Sequence, residues 1–221
     1  MTHGMAAPSL QAVSAILGQH GALYRRVKPT YQTQLLSDLA ALWDPAHRDV
    51  LDVGGGTGLI AEAMRQVFNL RRVVSVDVAD RFLPDLGIET DRFDGTHLPF
   101  GDARFDAVVL NNVLHHVDGP SRAALLAECA RVSRGPIYVK DHLRASRLDA
   151  LRLGALDVIG NVPFSGMVRA RYLTRGDWAG LTAAAGLRVE AEIGGAYRSG
   201  IFARLFPNRL EVTMRLGRIS T

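Results

Sequence analysis

Cysteine is almost absent from this chain. A single residue, Cys129, stands among 221, which excludes an internal disulfide and points to a reducing, cytoplasmic setting. Lysine is nearly as scarce. Of 26 basic residues only Lys28 and Lys140 are lysine, and the arginines are spread along the chain without blocks. The net charge of +4 is too small and too scattered to argue for nucleic acid. It leaves room for a small anionic partner or an acidic carrier protein. No apolar run approaches the roughly 20 residues that a membrane-spanning helix needs. The amino terminus lacks a basic region followed by a long apolar core, so no signal peptide is expected. What is present is a globular composition, 48% hydrophobic and 22% charged, in a length that suits one domain spanning 1–221.

After a loose tail, residues 9–27 carry apolar positions at helical spacing, broken near Gly18 and Gly21. A second helix is expected from Tyr31 to Trp43, ending before Pro45. Alternation then begins. Strands are read at Asp49–Val53, Arg72–Val78, Ile88–Phe93, Phe105–Leu110 and Ile137–Lys140. Helices are read at Leu59–Phe68 and Ser121–Val132. Strands alternating with helices imply parallel pairing with right-handed crossovers. Residues 146–160 read as helix, and 161–171 break the rhythm. Thr174 to Asp177 forms a capping-box pattern that starts a further helix, with Gly186 at its end. Leu187–Ile193 reads as the sixth strand, and the alternation of Leu210, Val212, Met214 and Leu216 with polar residues as the seventh.

The most informative stretch is Val50-Leu-Asp-Val-Gly-Gly-Gly-Thr-Gly58. An apolar strand runs into glycines at alternate positions, then into a helix. Glycine allows the sharp turn and a close ligand approach, and the helix start offers free N–H groups. The dinucleotide fingerprint is spaced G-x-G-x-x-G; here Gly54, Gly56 and Gly58 give G-x-G-x-G, with Asp52 two residues ahead. This resembles motif I of the class I S-adenosylmethionine-dependent methyltransferases. Asp77, closing the second strand, suits the two hydroxyls of a ribose. Asp94 to Phe100 resembles the family's segment after strand three, which implies that Asp94 accepts from the adenine amino group. Phe105 to Asp118, with Leu114-His115-His116, resembles its strand four and following loop, and Glu128 to Gly135 its segment before strand five. The resemblance covers roughly residues 45–142.

The resemblance implies a Rossmann-like α/β fold, an open sheet of seven strands in the order 3-2-1-4-5-7-6. Strand seven is antiparallel and helices cover both faces. It implies S-adenosylmethionine as cofactor, S-adenosylhomocysteine as product, and a cofactor set of Asp52, Gly54, Gly56, Gly58, Asp77, Val78, Asp94, Gly95, Asn111 and His115. Residues 1–44 would form a helical lid over the core, 45–142, and 143–221 would supply the substrate side. Small-molecule O-methyltransferases of this kind pair a histidine after strand four with an aspartate after strand five. His116 and Asp141 fit that pattern, with His142 as a substitute base. Phe164, Met167, Arg169 and Tyr172 suit a substrate wall. The expected reaction is methyl transfer to a hydroxyl of a small aryl, acyl or natural-product acceptor. No carboxylate cluster of the kind a metal-dependent version needs stands out. Two rivals share parts of the pattern. An NAD-dependent oxidoreductase would use the same glycine turn and acid, but leaves Asp94 to Phe100 unexplained. A non-catalytic cofactor-binding module would bind without turnover.

Overall fold

A computed structural model of the chain describes residues 4–161 and 170–219, with the side chains of 159–161 left out. In chain order the main elements are α1 (Leu10–His20), α2 (Thr30–Leu42), β1 (Asp49–Val53), α3 (Leu59–Val67), β2 (Arg72–Asp77), β3 (Glu89–Arg92), β4 (Ala107–Asn111), α4 (Gly119–Val132), β5 (Ile137–His142), α5 (Arg147–Asn161), α6 (Arg175–Ala184), β6 (Leu187–Ile193), α7 (Gly200–Leu205) and β7 (Glu211–Arg218). Short 3-10 turns lie at Ala22–Arg25, Leu114–His116 and Asn208–Leu210. The sheet order is β3-β2-β1-β4-β5-β7-β6. Strands β1 to β5 pair parallel, and β7 runs antiparallel between β5 and β6. This is the expected Rossmann-like sheet.

Period-two alternation puts successive side chains on opposite faces, and each face has its own helices. Val50, Val73, Val109 and Tyr138 pack with Leu17, Leu36, Leu39 and Met64 of α1, α2 and α3. Leu51, Val74, Val108 and Val139 pack with Leu126 and Cys129 of α4 and Trp178 of α6. Burial pushes the Cys129 thiol well up, so it packs as a small apolar side chain. The Thr174 capping box forms as expected: its hydroxyl accepts from the Asp177 N–H, and the Asp177 carboxylate accepts from the Thr174 N–H. No helix among the described residues is long and apolar enough to cross a membrane.

Beyond shifts of one or two residues at other strand ends, β5, α4 and α7 differ from expectation. β5 continues through His142 because Asp141 and His142 pair with Val212 and Glu211 of β7. Both residues therefore belong to the strand instead of following it. α4 begins at Gly119, since Pro120 at its first turn sacrifices no intrahelical bond. α7 was not expected; it is a six-residue helix with three exposed apolar side chains, Ile201, Phe202 and Leu205.

Candidate functional site

The glycine turn sits between β1 and α3, at the carboxyl ends of the parallel strands, where open sheets hold ligands. Gly54, Gly56 and Gly58 all take positive φ, at 76°, 59° and 78°. A Cβ on Gly54 would lie 2.6 Å from Val113 Cγ2, inside the protein. One on Gly56 would meet nothing within 4 Å, so Gly56 faces the open side of the turn. Gly55, absent from the alternating pattern, is also required: its Cβ would fall 1.8 Å from Ser75 Oγ.

The carboxylates around the turn differ in what they do. Asp52 is buried behind it and accepts from Ser75 Oγ at 2.7 Å. Burial, with the nearby Asp77 charge, pushes its carboxyl up to about 6 against the pull of the Ser75 bond. Asp77 clips the turn to the end of β2: its Oδ2 accepts from Gly56 N at 2.8 Å and its Oδ1 from Ala79 N at 3.0 Å. Its Oδ1 also accepts from Arg81 at 3.4 Å; a carboxylate offers about four lone-pair sites, so capacity is left at Oδ2 for a ligand hydroxyl. Asp94 lies in the exposed loop after β3, its Oδ1 taking the N–H groups of Thr96 and His97. Those bonds hold its carboxyl below the usual range. Gly95, at φ 89°, abuts Val78, which is 42% exposed. Asn111 ends β4 with both amide atoms buried and without a well-formed hydrogen bond. An open cradle, a clipped carboxylate, an exposed apolar wall and a buried amide together fit S-adenosylmethionine.

The second half of the site differs from the expected dyad. Asp141 pairs with His115, through His115 Nδ1, and not with His116. The 3-10 turn Leu114–His116 tucks His115 inward and leaves His116 half-buried, with ring centroids 4.0 Å apart. Asp141 also accepts from His142 N at 2.7 Å and Leu114 N at 3.1 Å. Burial opposes its ionisation, but His115, His142 and the backbone N–H groups outweigh it and hold the carboxyl at about 2. His142 is buried, its Nδ1 3.0 Å from Glu211 Oε2. Tyr172 is not an open wall: it is buried, stacked against His115, and its hydroxyl donates to Asp157 Oδ2. Phe164, Met167 and Arg169 lie outside the described residues.

Sequence reasoning missed several groups. Asp157 of α5 approaches His115 Nε2 at 3.6 Å and His142 Nε2 at 3.7 Å. Its signal was available: Asp149, Leu153 and Asp157 recur every fourth residue, one buried face of a helix. Lys140 is wholly buried; it pairs with Glu211 and donates to Tyr31 Oη at 2.5 Å and Asn112 Oδ1 at 2.9 Å. Burial would neutralise it, but Glu211 and Tyr31 overrule that and raise its pKa. Arg198 shares Glu211.

Residues 51–135 match the family model described as a methyltransferase domain. The ubiquinone/menaquinone biosynthesis C-methyltransferase UbiE of Desulfotalea psychrophila is 34% identical over 101 residues, 42% of this chain and 40% of that protein. The match thus spans well under half the length of that relative. Among solved structures, a chain of the complex between the Haloferax volcanii Trm112 methyltransferase activator and its methyltransferase has a TM-score of 0.63 at 15% identity, covering 94% of this chain and 98% of that one. The magnesium protoporphyrin IX methyltransferase of Synechocystis, with bound S-adenosylhomocysteine, has a TM-score of 0.59 at 16% identity, covering 89% and 87%. These likenesses establish the fold. The antiparallel β7 also departs from the dinucleotide-binding order 3-2-1-4-5-6, so the fold gives no support to the NAD alternative. Sheet order and matched segment make this chain similar to the class I S-adenosylmethionine-dependent methyltransferases, with a methyltransferase domain matched over residues 51–135.

Proposed function

We propose that the protein methylates a hydroxyl of a small-molecule acceptor. The observation that carries this reading is the histidine–carboxylate cluster at the carboxyl ends of β4 and β5, beside the cofactor cradle. The cofactor supplies a methyl group on a sulfonium, already a good leaving system, so positioning does much of the work. A hydroxyl nucleophile must in addition lose its proton. That task falls to the cluster. Asp141 orients His115 and stabilises it when charged, and His116, half-buried beside it, faces the more accessible side.

The other roles follow from position. Asp77 would take the ribose hydroxyls, Asp94 with Val78 and Gly95 the adenine, and Gly54 to Gly58 with Asn111 the methionine part. Tyr31 reaches Asn112 and Lys140 from α2, which supports residues 1–44 as a cover at the strand ends. Residues 143–221 would supply the acceptor side, with Phe164, Met167 and Arg169. The +4 balance suits an acceptor with an acidic group or on an acidic carrier. The relation to a C-methyltransferase keeps one second reading: an acceptor activated at carbon, which would still need the cluster as a base.

Calorimetry with S-adenosylhomocysteine tests the cofactor half. Wild type should bind and Gly56→Val should not, because the valine would occupy the open side of the turn. Labelled methyl transfer into a panel of phenols, hydroxyacids and quinols tests the acceptor. Product on oxygen supports the reading; product only on carbon replaces it with the second.

A further inference from the structure

The cluster assigned above to deprotonation also holds a donor set that could take a metal ion. His115 Nε2, His116 and Asp157 present ligand atoms that all lie within 4.8 Å of one another. His115 is fully buried and its Nε2 makes no hydrogen bond, although Asp157 stands 3.6 Å away. Such a nitrogen is costly to bury without a partner. Its other nitrogen, Nδ1, is tied to the Asp141 carboxylate, which is in turn held by two backbone N–H groups. A carboxylate on one ring nitrogen and a free second nitrogen is the arrangement that orients metal-binding histidines. His142 Nε2 adds a further donor, 3.7 Å from Asp157 Oδ1. Lys140 and Arg198 both serve Glu211, and among the described residues neither Asp141 nor Asp157 pairs with a lysine or arginine.

We propose that His115, His116 and Asp157 form a binding site for a divalent transition cation of the zinc class, with His142 as a fourth donor. Imidazole with one carboxylate favours zinc or cobalt over magnesium and calcium, which prefer all-oxygen sets. Donors about 2.0–2.1 Å from a tetrahedral ion stand roughly 3.4 Å apart. The cluster reaches that by small rotations of three side chains. The ion is held on one side by α5 and on the other by the turn after β4. Its chemical role rests on the methyl-transfer reading. An acceptor hydroxyl on the ion gives its proton to solvent more readily; its oxygen then forms the O–C bond as the cofactor's S–C bond breaks. Binding of the ion does not rest on that reading.

The test uses chelator-stripped full-length protein titrated with Zn²⁺ alone, and Co²⁺ as a spectroscopic probe. One ion per chain is expected, with the intense visible bands of four-coordinate cobalt. His116→Ala and Asp157→Asn should abolish those bands. Asp141→Asn, which keeps every ligand, should weaken binding by about 10–100-fold. His97→Ala, an exposed histidine beside Glu128, should change nothing. S-adenosylhomocysteine binding by each variant reports that it is folded, and tests the methyltransferase reading separately. Cobalt that keeps the pale six-coordinate spectrum of the aqueous ion in wild type would overturn the proposal. So would zinc affinity equal in wild type, His116→Ala and Asp157→Asn.

Discussion

The two halves of the candidate site are built on opposite plans. Around β1 and β2 the ligand-facing groups come from consecutive backbone: three positive-φ glycines within five residues, clipped by one carboxylate at the next strand end. Around β4, β5 and β7 they are side chains from distant parts of the chain. His115 meets Asp141 26 positions away, and Lys140 meets Glu211 71 positions away. A backbone cradle tolerates loss of any one side chain but no added bulk. An assembled cluster is vulnerable to truncation, because each buried group is satisfied only by the others.

The largest effect should fall in the cluster. His115→Ala should lower kcat by about 10²–10⁴, with S-adenosylhomocysteine affinity nearly unchanged. His116→Ala, measured beside it, decides between the two histidines: if only His116→Ala loses rate, the base is the more exposed ring and His115 merely supports it. Loss in neither would leave positioning alone to drive transfer.

Lys140→Ala should come next. Breaking a buried ion pair costs about 3–5 kcal/mol. Arg198 still faces Glu211, so the low end is expected, about 3 kcal/mol by urea unfolding. A cost near zero would mean that the pair adds nothing to joining β5, β7 and α2.

On the cradle side, Asp77→Ala should weaken S-adenosylhomocysteine binding by about 1.5–3 kcal/mol, the scale of a charged hydrogen bond. Calorimetry showing no change would remove Asp77 from the cofactor site and weaken the contrast between the halves.

The smallest effect concerns Asp52, whose pH dependence has an inverted sign for a carboxylate. Its folded pKa of about 6 lies above its unfolded value, so the stability it contributes is complete at low pH and lost as pH rises through about 6. At pH 7.5 the buried charge is therefore a cost, and Asp52→Asn should stabilise the free protein by about 2 kcal/mol. For a chain of this size that is roughly 4–8 °C in Tm. Thermal melts at pH 5 and 7.5 check it: the gain should shrink at the lower pH. Asp141 runs the other way. Its carboxyl, held at about 2, stabilises the fold above its unfolded pKa, and that support is lost only as pH falls through about 2.

Much of this could be read before folding. The strand–helix alternation, the glycine turn and the capping box at Thr174 are local, and local chemistry dictates them: φ above zero demands glycine, and a threonine three residues before an aspartate caps a helix. The geometry of the glycine turn was legible for that reason. The sequence by itself also determined that a histidine after β4 and an aspartate in β5 would be near one another, since parallel neighbours bring those ends together. Only the tertiary structure decided which histidine. A single 3-10 turn rotates one ring inward and its neighbour outward, and nothing in a His-His pair marks the difference. The extension of β5 through His142 likewise depends on β7, and the arrival of Asp157 and Glu211 depends on how α5 and β7 pack. Those partners are distant along the chain, and their meeting is set by burial of the whole core, which no short window of sequence records.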